Sequence, residues 1–452
     1  MALIRTRFAP SPTGQMHIGN LRTAVYAYAL AKHNSGQFIL RIEDTDQKRY
    51  DPQGITDIKN NLTTFGLNWD ELYIQSERKK AGIYQQTAEK LVSDGHAFYC
   101  RCPAKNVKQA GYSTILRDPC RDRGLTSGAV KLRVPDNQQI SYHDFVLDKV
   151  VSWDTNTVYE ATLLKSDGFP TYHLAAMTDD LLMQISHILR GHDWMPSTPI
   201  HLLVLDYLGN RRPEIGHLTD ILSSKGGKLS KRRDSVFCEA FLELGYLPEA
   251  LLNFVILLGW APKDNQELFT LEEFVRKFDP SGFQKANPLF SDTKLNWLNG
   301  YYIRQKTDTQ LIQLVKPFVK QDVTDTKLAQ ITPLIKDRLV KLSDFPSLTG
   351  LFFSPPDLDK NLFDQPDLAI EHLTLATEHL SSSPWTKEAI ETGLMAGIKA
   401  HGWKVGDFFM SLRVAVCGSR ATPPLTETML VLGQSESLTR IRNAINFLGQ
   451  LG

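Results

Sequence analysis

Residues 7–20 read RFAPSPTGQMHIGN, a stretch poor in core-forming side chains and suited to close approach by an anion. His17 offers a ring N–H to a phosphate oxygen. Gly14 and Gly19 let backbone come near a ligand, while Pro10 and Pro12 stiffen the loop. A second segment, SSKGGKLSKRRD (223–234), sets Lys225, Lys228, Lys231, Arg232 and Arg233 ahead of its first acid, with two glycines among them. Such a loop can close positive charge over a polyphosphate during phosphoryl or nucleotidyl transfer; the bland reading is a solvated surface loop. Glu43 and Asp44, ending QFILRIED, supply anions for a cationic group such as an amino acid's ammonium. Cys100, Cys102 and Cys120 form a C-x-C followed, after 17 further residues, by a third cysteine. That set suits one tetrahedral zinc ion, or stays reduced and unligated.

Those side chains need elements to hold them. IRTRF (4–8) is consistent with a strand. After the loop, Leu21, Ala24, Val25, Tyr28 and Ala31 recur at helical period until Asn34, Ser35 and Gly36 end the pattern. QFILRIED (37–44) reads as a buried strand. Strand, loop, helix and strand in this order form a βαβ unit, which predicts a parallel sheet with a right-handed crossover. Ligands bind at the carboxyl ends of such strands, where helix N-termini present N–H groups to anions. The loop lacks both the dinucleotide G-x-G-x-x-G and the P-loop G-x-x-x-x-G-K-[ST].

At 452 residues the chain exceeds what one hydrophobic core supports, so two to four domains are expected. A net charge of +1 gives no whole-molecule attraction to nucleic acid, leaving any such contact to local patches. No stretch approaches the roughly 18 apolar residues of a membrane span, and MALIRTRFAPSP has no signal-peptide apolar region. Five scattered cysteines predict a reducing cytoplasm rather than a disulfide framework, with Cys238 and Cys417 as small core residues.

The pair PSPTG-x-x-H-x-G and K-L-S-K-R resembles the two signature motifs of class I aminoacyl-tRNA synthetases. The text between and after them (FILRIEDTD, GLNWDE, QSER, LLKSDGFPTYHLA, RGHDW, LPEALLNFVILLGWAP) is similar to glutamyl-tRNA synthetases from residue 5 to about 305, and more loosely beyond. The resemblance implies an α/β Rossmann-type nucleotide-binding domain with an inserted α+β acceptor-end domain, followed by all-helical stem-contact and anticodon-binding domains. Its implied boundaries are 1–82 and 173–221 for the catalytic halves and 83–172 for the insertion with the cysteines. Residues 222–306 would form the stem-contact domain with the KLSKR loop, and 307–452 the helical anticodon-binding region.

The implied reaction is ATP-dependent ligation of L-glutamate to the 3′ end of tRNA(Glu) through a glutamyl-adenylate. His17, Lys228 and Lys231 would be catalytic, joined around ATP and Mg2+ by Gly14, Gly19, Ser230 and Arg232. Arg7 would take the γ-carboxylate, with Ala9 and Ser11 alongside, Glu43 on the ammonium, and Tyr172 and Arg190 completing the pocket. Arg338 and Arg413 match arginines that contact anticodon bases in relatives. Some relatives bind Zn2+ with a histidine two residues after the last cysteine, where this chain has Asp122; a tRNA-modifying relative uses a tyrosine, which makes Tyr112 a candidate fourth ligand. Two departures stand out: His192 precedes Asp193 where the family carries an acidic pair or similar residues after RG, and Ala176 offers no side-chain hydrogen bond. The alternative within the family is a non-discriminating or second-copy enzyme that also charges tRNA(Gln) for later amidation. A monomer without membrane attachment is expected.

Overall fold

Strand β1 (Arg5–Phe8) runs through the proline- and glycine-bearing loop into helix α1 (Ile18–His33), and β2 (Gln37–Ile42) returns parallel to β1 with Arg7 opposite Ile39. The expected βαβ unit is therefore present. α1 packs closely because alanines occupy much of its buried surface, at Ala24, Ala27, Ala29 and Ala31. Its Tyr26 hydroxyl donates to the Ile256 and Leu258 carbonyls. β2 reads as a continuous apolar run, as a strand covered on both faces does, with Arg41 the one charged interruption.

This computed structural model describes residues 3–46, 49–103, 116–209, 211–229, 236–319 and 323–450. The chain divides into two units, Met1–Glu243 with Pro248–Leu295, and Leu244–Leu247 with Asn296–Gly452. In the first, the chain continues through α2 (Gly54–Thr64), β3 (Glu71–Ile74), α3 (Gln75–Lys80), α4 (Ile83–Ser93), β4 (Ala97–Cys100), β5 (Ala129–Leu132), β6 (Gln139–Asp144), β7 (Lys149–Asp154) and β8 (Thr162–Leu164). It then forms α5 (Tyr172–Leu182), β9 (His187–Gly191), α6 (Thr198–Tyr207) and β10 (Glu214–Leu218). The main sheet has the order β3-β2-β1-β9-β10-β6-β7, parallel throughout except for the antiparallel edge strand β7. β4, β5 and β8 make a separate antiparallel sheet. The β6–β7 hairpin thus lies inside the span 83–172 and yet completes the edge of the main sheet. Ile39, Leu174, Ile188, Ile200, Leu203 and Ile215 belong to one buried cluster joining sheet and helices.

The second unit is helical among the described residues, from Asp308–Val315 to Gln434–Gly449. Thr307, Thr324 and Thr386 cap helix starts with their hydroxyls, and Gly402 and Gly418 close helix ends in the left-handed conformation. Its core gathers Leu373, Ile390, Phe408, Leu412 and Ile441. Among the described residues no helix is long and apolar enough to cross a membrane.

Candidate active site

A cavity of about 270 Å³ opens at the carboxyl ends of β1 and β9, beside the start of α1. Arg7 lines it from β1, Ala9, Ser11, Gly14 and His17 from the β1–α1 connection, Glu43 from the end of β2, Tyr172 from the start of α5 and Arg190 from β9. The strand register explains this convergence, because parallel strands bring their carboxyl ends to one rim. Gly14 has φ of 131°, which a side chain would strain, so the loop depends on glycine there. A Cβ on Gly19 would come within 3.0 Å of the His17 ring.

His17 caps α1. Its Nδ1 accepts from the Asn20 backbone N–H at 3.2 Å, and Asn20 Oδ1 faces the His17 N–H in return. With Nδ1 accepting, the neutral ring carries its proton on Nε2, the tautomer that donates to an anion. The capping reading and the phosphate reading of this histidine are therefore one geometry.

Below the cavity lies a buried network of ions. Arg7 Nε donates to Asp180 Oδ1 at 3.0 Å and Arg7 Nη1 to the Leu189 carbonyl at 3.1 Å. Arg41 Nη1 donates to the same Asp180 oxygen at 2.6 Å, and Arg41 Nε and Nη2 to Glu43 Oε1 at 3.2 and 3.0 Å. Asp179, beside Asp180 on α5, accepts from Gln75, Arg78 and Tyr84. Burial pushes the Glu43 carboxyl up to about 7, against the pull of Arg41 and Arg7. Asp180 is held below the usual carboxylate range because Arg41 and Arg7 outweigh its burial.

Arg190 is as buried as Arg7, yet its partners are neutral: His217 Nε2, His201 Nδ1, Thr198 Oγ1 and the Tyr172 hydroxyl. Burial lowers its pKa, which marks a cation short of compensating charge. Tyr172 lies against Trp194, ring centroids 3.9 Å apart, on the same cavity wall.

Lys228 Nζ pairs with Asp193, next to the cavity-lining Trp194, at 2.8 Å and with Asp220 at 2.9 Å. Beyond the loop, Ile18 N–H donates to the Val236 carbonyl and Cys238 N–H to the Met16 carbonyl, which stitches its far end to the start of α1. Ser230, Lys231 and Arg232 lie outside the described residues. Of the two departures, Asp193 is the Lys228 partner, His192 is exposed, and Ala176 is fully buried in the core of α5.

The cysteines converge elsewhere in the same unit. Sulfur atoms of Cys100, Cys102 and Cys120 and a carboxylate oxygen of Asp118 all lie within 4.8 Å of one another. Cys102 and Cys120 sulfurs are 3.5 Å apart, close to the ~3.8 Å edge of a tetrahedron with Zn–S bonds of about 2.3 Å. Asp118, two residues before Cys120, thus stands beside the three sulfurs, a neighbour the sequence reading did not name. Tyr112 lies outside the described residues, and Asp122 instead pairs with Arg133. Cys238 and Cys417 are buried free thiols. In the helical unit, Arg338 is exposed, whereas Arg413 Nη1 donates to Thr422 and the Pro423 carbonyl.

A parallel sheet with a proline- and glycine-bearing loop after β1 and a basic loop stitched beside it is the catalytic architecture of a class I synthetase. In keeping with this, residues 3–297 match the family described as "tRNA synthetases class I (E and Q), catalytic domain", and residues 310–445 an "Anticodon binding domain". A glutamate–tRNA ligase from Finegoldia magna is 35% identical over 489 aligned residues, covering 99% of this chain and 100% of that one. One from Dehalococcoides mccartyi is 37% identical, covering 99% and 98%. The crystal structure of glutamate–tRNA synthetase from Elizabethkingia anophelis has a TM-score of 0.90 at 32% identity, covering 98% of this chain and 100% of that one. A glutamate–tRNA ligase from Elizabethkingia meningosepticum, solved with its amino acid, has a TM-score of 0.89 at 32% identity, with coverage of 98% and 99%. The chain belongs to the glutamate–tRNA ligase family of class I aminoacyl-tRNA synthetases.

Proposed function

We propose that this protein joins L-glutamate to the 3′ end of tRNA(Glu), first forming glutamyl-adenylate from glutamate and ATP and then passing the glutamyl group to the terminal ribose. The observation that carries this reading is the pair of buried guanidinium groups, Arg7 and Arg190, opposite the buried carboxyl of Glu43 in one cavity. An amino acid with a carboxylate side chain complements both signs. Arg7 spends two of its five N–H donors on Asp180 and Leu189, so the remainder can grip a γ-carboxylate. A glutamine amide in that place would set N–H against N–H, which rejects it. Glu43 takes the ammonium, with Ala9, Ser11 and Tyr172 shaping the pocket.

In the first step the α-carboxylate of glutamate attacks the α-phosphate of ATP and pyrophosphate leaves. Negative charge builds on the phosphorus oxygens and the leaving group, so positioned donors matter more than acid–base exchange. His17 Nε2–H and the N-terminus of α1, at Gly14 to Gly19, serve the phosphates; Lys228 and Lys231, with Ser230 and Arg232, serve the leaving pyrophosphate. Mg2+ carried by ATP supplies further neutralisation.

Residues 83–172 are assigned to the acceptor end of the tRNA, 222–306 to its stem and 307–452 to the anticodon, with Arg338 and Arg413 on anticodon bases; 1–82 and 173–221 make up the catalytic domain. Cys100, Cys102, Cys120 and Asp118 fit a structural Zn2+, which would pin the segments around β4 and β5 together. Metal analysis of the purified chain checks this: about one zinc per chain is expected, reduced in Asp118→Ala. The protein is assigned to the cytoplasm as a monomer.

The decisive experiment is aminoacylation with radiolabelled glutamate, using tRNA(Glu) and tRNA(Gln) in parallel. Charging of tRNA(Glu) alone is expected. Charging of both would identify a non-discriminating enzyme, and charging of neither would overturn the reading.

A further inference from the structure

The hydrogen-bonding role of arginine never varies: it donates and cannot accept. Arg190 therefore dictates the protonation of the rings around it. Its Nε donates to His217 Nε2 at 3.0 Å and its Nη1 to His201 Nδ1 at 2.8 Å, so both ring atoms must carry lone pairs. His217 then holds its proton on Nδ1, facing Asp144 Oδ2 at 2.7 Å and the Tyr142 hydroxyl at 2.9 Å, and Tyr142 donates to the same Asp144 oxygen. His201 holds its proton on Nε2 and gives it to His173 Nδ1 at 3.0 Å. The strand register builds this in, for His217 of β10 stands opposite Arg190 of β9.

We propose that Asp144, His217 and His201 are positioning residues for glutamate recognition: Asp144 fixes the His217 tautomer, and the two imidazole lone pairs aim the Arg190 guanidinium at the substrate carboxylate. The proposal rests on the functional reading above. An anionic partner on Arg190 would have served stability better. Neutral acceptors orient the guanidinium without neutralising it, which leaves its charge for a ligand. Burial, reinforced by Arg190, also holds His217 and His173 down near 4 and His201 well below its usual value, in agreement with neutral rings.

Asp144 allows a sharp test because its two oxygens share only one partner, the His217 backbone N–H, 3.2 Å from each. Oδ1 alone accepts from the backbone N–H groups of Val146 and Leu147, at 3.1 and 3.0 Å. In Asp144→Asn those donors keep the amide oxygen on their side, and the NH2 group then faces His217 Nδ1. The ring must move its proton to Nε2, where it meets Arg190 donor to donor. A glutamine at 217 has no tautomers, and its carbonyl can stand where Nε2 stood.

The KM values for glutamate and ATP are measured in tRNA(Glu) aminoacylation by the full-length wild type, Asp144→Asn, His217→Gln and the double variant. Asp144→Asn should raise the glutamate KM about tenfold, the scale of one buried charged hydrogen bond, with the ATP KM unchanged. His217→Gln should raise the glutamate KM less than Asp144→Asn does, and the double variant should match His217→Gln. An unchanged glutamate KM in Asp144→Asn, an equal rise for ATP, or a double variant no better than Asp144→Asn would overturn the proposal. Should Asp144→Asn fail to fold, His201→Asn against His201→Leu asks the same question, since only asparagine retains an acceptor at the Nδ1 position. Equal glutamate KM values for that pair would refute the frame. A wild type that charges no glutamate overturns the functional reading, and this proposal with it.

Discussion

The two units use charge in opposite ways. Around its cavity the first unit buries Arg7, Arg41, Glu43, Asp179, Asp180 and Arg190, none more than 7% exposed. The helical unit keeps pairs such as Lys387–Glu427, Arg420–Asp364 and Lys316–Asp325 at its surface, with Arg440, bonded to Glu436 and three backbone carbonyls, a buried exception. Taking an ion out of water costs several kcal/mol even after relaxation. A fold that does this repeatedly in one place needs a reason, and a small charged substrate that must be desolvated and aligned supplies it. An RNA loop is read over a wider area by groups that stay in water, with strong dependence on salt.

The contrast breaks most visibly at Arg190. Arg190→Ala should raise the glutamate KM roughly a hundred- to a thousandfold, because it strands a substrate carboxylate in a buried pocket. Its KM for tRNA should stay near that of the wild type. Arg338→Ala in the helical unit should do the reverse: about a tenfold or greater rise in the tRNA KM, the scale of one base contact, with glutamate and ATP unaffected. Steady-state kinetics in all three substrates decides both. A glutamate defect from Arg338→Ala would dissolve the division of labour.

How much of this could be read beforehand depends on the separation of the partners. The β1–α1–β2 unit and the His17 cap are local, and their spacing declares them. Ions paired across the fold are not. Arg7 and Asp180 are 173 residues apart and Arg41 and Asp180 139, so no window of sequence contains the network. A signal did exist in LAAMTDDLL, where two acids interrupt an apolar helix, and a buried acid pair needs cations. Arg41 within FILRI gave the matching signal. His201 and His217 were illegible, since lone histidines in apolar runs are common and only the sheet register shows what they face. Asp118 stood two residues before Cys120 and was passed over because histidine and tyrosine, the ligand types of the relatives, were the ones sought.

A milder perturbation than mutation is a change of pH. Burial pushes the Glu43 carboxyl up to about 7. An ammonium bound against it favours the ionised form, so below that pH glutamate binding must first expel a proton. The glutamate KM should be flat above about pH 7 and rise toward tenfold per pH unit below it, while the KM for tRNA follows no such break. A glutamate KM that stays flat down to pH 5.5 would remove Glu43 as the ammonium partner.

The smallest effect is expected where the comparison predicts none. Lys387 and Glu427 pair at 2.6 Å on the helical unit, with side chains 47% and 31% exposed. The pair raises the lysine pKa and lowers that of the glutamate. Its contribution to stability is therefore fully present between their ordinary values, and is lost as pH rises through the lysine's raised value or falls through the glutamate's lowered one. Water and salt screen it throughout that window. Lys387→Ala should melt with the wild type at physiological ionic strength and neutral pH, any difference emerging only at low salt. A clear destabilisation at 0.15 M salt would mean that the helical unit also stakes its stability on specific ion pairs, and the contrast between the two units would then lie in the substrate each one meets rather than in how each is held together.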